Sequence, residues 1–122
     1  MKQYKVIIAG SRDFDDYNLL AEKCDRLLSQ KCLTHTIIII SGAARGADQL
    51  GERYARERGY GIESHRPDWE KEGRSAGMKR NAEMAKEADA LVAFWDGQSR
   101  GTGHMIDLAR KYNIQVRIVN CR

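Results

Sequence analysis

Three short turns combine glycine, small polar residues and one arginine, and these are the residue types that hold an anion. The turns are Gly10-Ser11-Arg12, Ser41-Gly42-Ala43-Ala44-Arg45-Gly46-Ala47-Asp48 and Asp96-Gly97-Gln98-Ser99-Arg100-Gly101-Thr102. Each follows an apolar run and precedes a helical pattern, which predicts a strand, a turn and the start of a helix. Backbone N–H groups and the positive end of a helix dipole meet at such a turn and stabilise an anion. Three such turns on one edge of a sheet predict a pocket for a phosphorylated ligand.

The first two turns differ in how specific they are. In the first, Gly10 permits close approach of a ligand, Ser11 offers a hydroxyl and Arg12 a positive charge, yet short glycine turns are also common in α/β folds without a ligand. In the second, Gly42 and Gly46 flank three residues and open a helix, which favours ligand binding. This turn lacks the Lys-Ser/Thr pair of a nucleoside-triphosphate P-loop, so ATP hydrolysis of that type is not expected.

Several polar residues of these segments have two interpretations. Asp48 either caps the helix or accepts hydrogen bonds from a ribose, and Asp96 is a second candidate for the ribose. Thr102 is interpreted as the N-cap of the last helix, with Gly101 beside it as a phosphate seat. His104, one turn into that helix, is either a general acid or base or a partner for a neighbouring group.

A further helix carries Arg80 and Asn81. We interpret Met78, Ala82 and Ala85 as its buried stripe, so that Arg80 and Asn81 point elsewhere, either into solvent or toward the ligand. The two tryptophans, Trp69 and Trp95, either stack a base or pack in the core.

The elements that must position these residues alternate along the chain. Strands are predicted over residues 5–9, 36–40, 61–65, 90–94 and 115–119, and helices over about 16–29, 47–58, 75–87 and 102–112. Such alternation predicts a single α/β domain over residues 1–122, a three-layer Rossmann-like parallel sheet with helices on both faces. The third and fifth strands are the more polar ones, which favours the order 3-2-1-4-5 and brings the three turns together near the switch point.

Composition excludes several classes of protein. The chain has 122 residues and a formal net charge of +4, with lysine and arginine mixed among acidic residues rather than gathered on one face, so a general nucleic-acid binder is not expected. The first strand starts too early to leave room for a signal peptide, and no apolar run is long enough for a membrane span, so a cytoplasmic location is expected. Three widely spaced cysteines predict reduced thiols, Cys24 being a packing residue, and no metal cluster is evident.

The order of these motifs resembles a known family. Gly-Ser-Arg, Ser-Gly-Ala-Ala-Arg-Gly-Ala-Asp, Arg-Asn-Ala-Glu-Met-Ala, Ala-Asp-Ala-Leu-Val-Ala-Phe-Trp-Asp-Gly and Ser-Arg-Gly-Thr together resemble the YspA/YpsA-related branch of the SLOG superfamily, from Lys5 to Val119. The resemblance implies a Rossmann-like domain that binds a nucleotide or a nucleotide-derived ligand, such as an ADP-ribose-like molecule or a cyclic nucleotide signal. It implies no required cofactor, and a homodimer is expected because related proteins often pair.

The same superfamily contains LOG phosphoribohydrolases and DNA-processing protein A, and each provides an alternative. A LOG-like hydrolase would use Arg80 with Asp96 or His104, but Met105 stands where those enzymes carry a catalytic glutamate, and a thioether cannot replace a carboxylate. The second alternative is a DNA-associated module. A third alternative is a protein that senses or sequesters a cyclic nucleotide signal, and this role needs no catalytic carboxylate.

Overall fold

The computed structural model describes residues 1–121 as alternating strands and helices. In chain order the elements are β1 (Gln3–Gly10), α1 (Tyr17–Leu28), α2 (Lys31–Thr34), β2 (Thr36–Ser41), α3 (Ala47–Arg58), β3 (Gly61–Ser64), α4 (Trp69–Glu72), a 3₁₀ turn (Gly73–Ser75), α5 (Ala76–Glu87), β4 (Ala90–Trp95), α6 (Arg100–Lys111) and β5 (Gln115–Asn120). The alternation predicted from sequence is confirmed. The two short helices α2 and α4 were not predicted, because four residues are too few to show helical periodicity.

The five strands form one parallel sheet in the order β3-β2-β1-β4-β5. The predicted order is therefore confirmed, with the more polar strands β3 and β5 at the edges. The chain reverses its direction of travel across the sheet between β1 and β4. This switch point is where open α/β sheets leave a crevice beyond the carboxyl ends of the strands.

Apolar residues pack on both faces of the sheet, which explains why the central strands are apolar at consecutive positions. On one face Val6, Ile8 and Phe94 pack against α1 and α3, with Tyr54 of α3 fully buried. Cys24 lies in this layer, and burial raises the pKa of its thiol to about 12, as expected for a packing residue.

The opposite layer lies beneath α5 and α6. Ile7, Ile40 and Leu91 of the sheet meet Met84 of α5 and Met105 of α6 there. Because the two helices pack on each other as well as on the sheet, their N-terminal ends are fixed beside the carboxyl edge of β1 and β4. No helix within residues 1–121 has the length and apolar character that crossing a membrane requires.

Candidate functional site

A cleft of about 380 Å³ opens at the switch point, between the turns after β1, β2 and β4 and the helices α5 and α6. We call it the switch-point cleft. Most of the residues predicted from sequence to bind the ligand line it. They are Gly10, Ser11, Arg12, Arg45, Asp48, Arg80, Asn81, Asp96, Ser99, Gly101 and Thr102.

The N-terminus of α6 borders this cleft with unused backbone donors. Ser99 is the N-cap, yet its side chain makes no capping hydrogen bond, and its carbonyl accepts from the N–H of Gly103 at 3.0 Å. The N–H groups of Gly101 and Thr102 form no hydrogen bond with any group among residues 1–121. The sequence-based choice of Thr102 as N-cap is wrong, because α6 begins at Arg100 and Thr102 is its buried third residue. Uncapped donors at the positive end of a twelve-residue helix are suited to an anion.

Side chains engage two N–H groups of the turn after β2. The N–H of Ala43 donates to Ser41 Oγ at 3.1 Å, and the N–H of Ala44 donates to Asp48 Oδ2 at 3.1 Å. At the start of α3, the N–H of Ala47 donates to the carbonyl of Ser11 at 3.4 Å. Ser41 is fully buried and lies outside the lining of the switch-point cleft, as do Gly42 and Gly46.

The glycines of the first two turns serve packing between the turns. Gly46 has a φ of +80°, and a Cβ at this position would lie 2.5 Å from the carbonyl oxygens of Ser11 and Arg12. At Gly10 a Cβ would lie 2.4 Å from the carbonyl oxygen of Phe94. Only glycine fits at either position without displacing backbone.

Arg80 and Asp48 are the charged groups that lie deepest in the cleft. Arg80 donates from Nη1 to the carbonyl of Gly42, and from Nε to Asn81 Oδ1 at 3.0 Å. Burial lowers the pKa of Arg80, while Asp48 opposes that shift. Burial raises the pKa of Asp48 to about 6, and the N–H of Ala44 and the charge of Arg80 counteract part of the increase. Gly42 lies between the two groups, since a Cβ there would be 2.8 Å from Asp48 Oδ2 and 2.9 Å from Arg80 Nη1.

Asn81 joins α5 to the start of α6. It is buried, its Nδ2 donates to the carbonyl of Gly101 at 3.3 Å, and the same nitrogen lies 3.2 Å from His104 Nδ1. The predicted buried stripe of this helix is correct for Ala85 and wrong for Met78, which is 58% exposed, whereas Asn81 and Met84 are buried. The helix is rotated so that a polar residue, satisfied by its partners, faces inward. His104 does not line the switch-point cleft.

The turn after β4 is shaped by Asp96. Its Oδ1 accepts from the N–H groups of Gln98 and Ser99, each at 2.8 Å, and these bonds lower the pKa of Asp96. Gly97 adopts a φ of +83° within the turn. Trp95 donates from its ring nitrogen to the carbonyl of Ser99 at 3.0 Å, so it packs against the turn. Arg100 is exposed and lies outside the lining of the switch-point cleft.

Ser11 lines the cleft with an unsatisfied hydroxyl. Its Oγ is buried and forms no direct hydrogen bond with the residues that the structure describes, although the hydroxyl lies close enough to Asp96 to contribute to the lowered pKa of that carboxyl. A buried hydroxyl without a partner is rare in folded proteins and is expected to gain one from a bound molecule. The neighbouring Arg12 and Arg45 are exposed, and Arg45 lies 3.7 Å from Asp13.

A second cleft of about 540 Å³ adjoins the first and was not predicted. We call it the β3-side cleft, because Arg66 and Pro67 of the loop after β3 and Trp69 at the start of α4 line it. Gly42 lines this cleft rather than the first one. This segment shows no periodicity, so only the isolated Arg66 and Trp69 could have indicated the cleft from sequence.

A carboxylate–imidazole cluster lies at another place in the fold. Glu63, His65 and Glu87 each offer one possible metal-ligating atom, all within 4.8 Å of one another, and no metal site is predicted there from sequence. Lys5 Nζ lies 3.3 Å from Glu63 Oε1, so a cation already neutralises one of these carboxylates. We interpret the cluster as an ion-pair network.

Comparisons with known proteins show the family to which the chain belongs. The model of the YspA, cpYpsA-related SLOG family matches residues 4–71. The chain is 37% identical to the Gene 61 protein of Mycobacterium phage D29, over 92% of this chain and 93% of that protein. The protein described here therefore belongs to the YspA, cpYpsA-related SLOG family.

Solved structures share the fold at low sequence identity. The chain is similar to TM1055, with a TM-score of 0.65 and 21% identity over 95% of this chain and 72% of that one. It is also similar to DNA processing protein A from Helicobacter pylori, described by its single-stranded DNA binding mode, with a TM-score of 0.72 and 17% identity over 98% of this chain and 66% of that one. For DNA processing protein A from Streptococcus pneumoniae the TM-score is 0.75 at 14% identity. The match covers 99% of this chain and 51% of that one, so this chain spans about half the length of that protein. These similarities extend to the fold alone.

Proposed function

We propose that the switch-point cleft binds a nucleotide or a nucleotide-derived ligand and seats a phosphate at the N-terminus of α6. The observation that carries the proposal is the pair of unused N–H donors of Gly101 and Thr102 at the cleft wall. Helix N-termini with free donors bind phosphate through both hydrogen bonds and the helix dipole. Ser11 Oγ lines the same cleft without a partner, which supports a polar ligand there.

The size and charge of the cleft also support this class of ligand. A volume of about 380 Å³ lies within the range of small-molecule sites. Arg12, Arg45 and Arg80 offset the negative charge of a phosphate, while the carboxylates of Asp48 and Asp96 are suited to accept hydrogen bonds from ribose hydroxyls. An ADP-ribose-like molecule or a cyclic nucleotide signal fits this combination. The cytoplasmic location and the homodimer stay predictions.

A thermal-shift screen tests the proposal. The protein is heated with AMP, ADP-ribose or cyclic nucleotides, and we expect at least one of them to raise the melting temperature, since a ligand at 100 times its Kd stabilises by about 2.7 kcal/mol. Arg80→Gln is expected to weaken binding at least tenfold. Arg110→Gln, the same change of an exposed arginine in the last turn of α6 and outside this cleft, is the matched control and is expected to bind normally. If no nucleotide shifts the melting temperature of the wild-type protein, the proposal is wrong.

A hydrolase is the second candidate function, and the environment of Asp48 favours it. Burial that raises the pKa of this carboxyl to about 6 suits proton transfer near neutral pH. Met105 is buried and lines the cleft without offering a carboxylate, and Asp96 Oδ1 is engaged by the turn. Incubation with nucleoside monophosphates and ADP-ribose tests this candidate. Free base that appears with the wild-type protein and disappears with Asp48→Asn would establish hydrolysis, and no release from any of them would exclude it.

A further inference from the structure

We propose that the two clefts form one elongated site and that the β3-side cleft binds the second nucleoside of a dinucleotide, two nucleosides joined through phosphate. This inference rests on the proposed function, because the first nucleotide would occupy the switch-point cleft. It narrows the ligand class from nucleotides in general to dinucleotides. A mononucleotide fills one half of the site, and a dinucleotide fills both.

The two clefts adjoin each other along the carboxyl edge of the sheet. The switch-point cleft lies beyond β1 and β4, and the β3-side cleft lies beyond β2 and β3. They share Arg12, Ala44, Arg45 and Arg80 in their linings. Three of the four shared residues are arginines, so the junction between the clefts is the position best suited to the phosphates that link two nucleosides.

The charges of the two clefts differ. The lining of the switch-point cleft includes the carboxylates of Asp13, Asp48 and Asp96. The lining of the β3-side cleft adds Arg66 to the shared arginines and contains no acidic residue within the part of the chain that the structure describes. The excess of positive charge in the lining of the β3-side cleft attracts the phosphates of a ligand toward that side.

Trp69 supplies an aromatic surface at the end of this positive cleft. Its side chain is 54% exposed. Trp69 is the first residue of α4, and the N-cap Asp68 holds the start of this helix by accepting from the N–H of Lys71 at 3.1 Å. A Cβ at Gly77 would lie 3.6 Å from Trp69 Cη2 and 3.8 Å from Arg80 Nη2, so the indole edge and the guanidinium approach the same point of α5. An exposed indole next to arginines is the arrangement on which nucleobases stack.

Calorimetric titration of the full chain with three adenine ligands tests the inference. The ligands are AMP, ADP-ribose and a dinucleotide of two adenosines joined through phosphate. We expect the dinucleotide to bind at least tenfold more tightly than AMP, with ADP-ribose between them, because only the dinucleotide brings a base to Trp69. Quenching of tryptophan fluorescence by the dinucleotide, and its loss in Trp69→Ala, would locate the second base.

Variants separate the two halves of the site. Trp69→Ala and Arg66→Ala are expected to lower the affinity for the dinucleotide to that for AMP and to leave AMP binding unchanged, while Trp69→Phe retains most of the gain. Tyr112→Ala, which removes an exposed aromatic ring outside both clefts, is the control and is expected to change neither affinity.

Each contrary outcome has a distinct meaning. Equal affinities for AMP and the dinucleotide, or an unaffected dinucleotide affinity in Trp69→Ala, would overturn the elongated site and leave the proposed function intact. Absence of binding by all three ligands would overturn both. Affinity that rises with the length of a single-stranded oligonucleotide and falls steeply with salt would mean that the arginines and Trp69 form a nucleic-acid surface, which also overturns the dinucleotide inference.

Discussion

The turns after β2 and β4 look alike in sequence, but side chains engage different parts of their backbones. In the β2 turn, Ser41 Oγ and Asp48 Oδ2 accept the N–H groups of Ala43 and Ala44. In the β4 turn, Asp96 Oδ1 accepts the N–H groups of Gln98 and Ser99. The N–H groups of Gly101 and Thr102 have no partner among residues 1–121. A glycine turn thus indicates where a ligand could approach, while the neighbouring side chains decide whether its donors are available.

The largest expected effect separates the glycines of the two turns. Gly46→Ala forces a Cβ to within 2.5 Å of two carbonyl oxygens at a φ of +80°, so we expect a loss of about 3 kcal/mol or more in the free energy of unfolding. Gly101→Ala places its Cβ in open space near the start of α6 and is expected to leave stability unchanged or slightly higher. Urea denaturation of both variants measures the difference.

The same pair is expected to reverse its order in ligand binding. The Cβ of Gly101→Ala enters the space that a phosphate would occupy at the α6 N-terminus, so the folded variant should bind nucleotide at least tenfold more weakly. Normal binding by Gly101→Ala would contradict the assignment of the phosphate to α6. Equal stability of the two variants would contradict the packing role of Gly46.

The next effect depends on pH and concerns Asp48. Its pKa is raised from 3.8 to about 6 on folding, so the folded protein holds the proton more tightly than the unfolded chain does. This contribution to stability is complete below pH 4, decreases as the pH rises toward 6, and is lost above that value. The amide that replaces the carboxyl in Asp48→Asn does not titrate. We therefore expect the stability of the variant relative to wild type to rise by up to about 3 kcal/mol between pH 4 and pH 7.

Denaturation of both proteins across this pH range measures that difference and cancels the other titrating groups. A difference that stays constant with pH would show that the carboxyl of Asp48 is not perturbed by burial. Preserved binding of nucleotide by the variant would further show that its negative charge is dispensable for the ligand.

A smaller effect distinguishes the serines of the two turns. Ser41→Ala removes the acceptor of the Ala43 N–H and the donor to Glu52 Oε2 at 2.6 Å, and leaves a partly buried N–H unpaired. We expect this to cost about 1–2 kcal/mol in thermal or urea unfolding. Ser99→Ala removes an N-cap side chain that makes no capping bond, so less than about 0.5 kcal/mol is expected. Similar losses in both variants would mean that the two turns are held in the same way.

The smallest effect concerns Asp96, which is exposed. Asp96→Asn keeps an oxygen acceptor for the N–H groups of Gln98 and Ser99, whereas Asp96→Ala does not. We expect Asp96→Ala to lower the melting temperature slightly and Asp96→Asn to leave it unchanged. If both variants also retain nucleotide binding, the ribose contact proposed for Asp96 is wrong and its role is to shape the turn.

The sheet order could be predicted from sequence because the burial of a strand determines the pattern of its apolar residues. Strands covered on both faces are apolar at consecutive positions, and β3 and β5 are not. The rotation of α5 was missed because a methionine, Met78, is usually a better candidate for burial than an asparagine. Asn81 is buried nonetheless, since Gly101 and Arg80 satisfy its amide, and a partner from a distant part of the chain leaves no local pattern. The β3-side cleft was missed because its lining residues come from separate parts of the chain, which also leave no local pattern.

The contacts of Asn81 fix the tautomer of His104. The amide oxygen of Asn81 accepts from Arg80 Nε and its nitrogen donates to the carbonyl of Gly101, so the amide has one orientation. The nitrogen therefore presents a donor to His104 Nδ1 at 3.2 Å, and neutral His104 carries its proton on Nε2. In this tautomer the lone pair of Nδ1 points at Asn81, so the imidazole joins α6 to α5 as a hydrogen-bond acceptor.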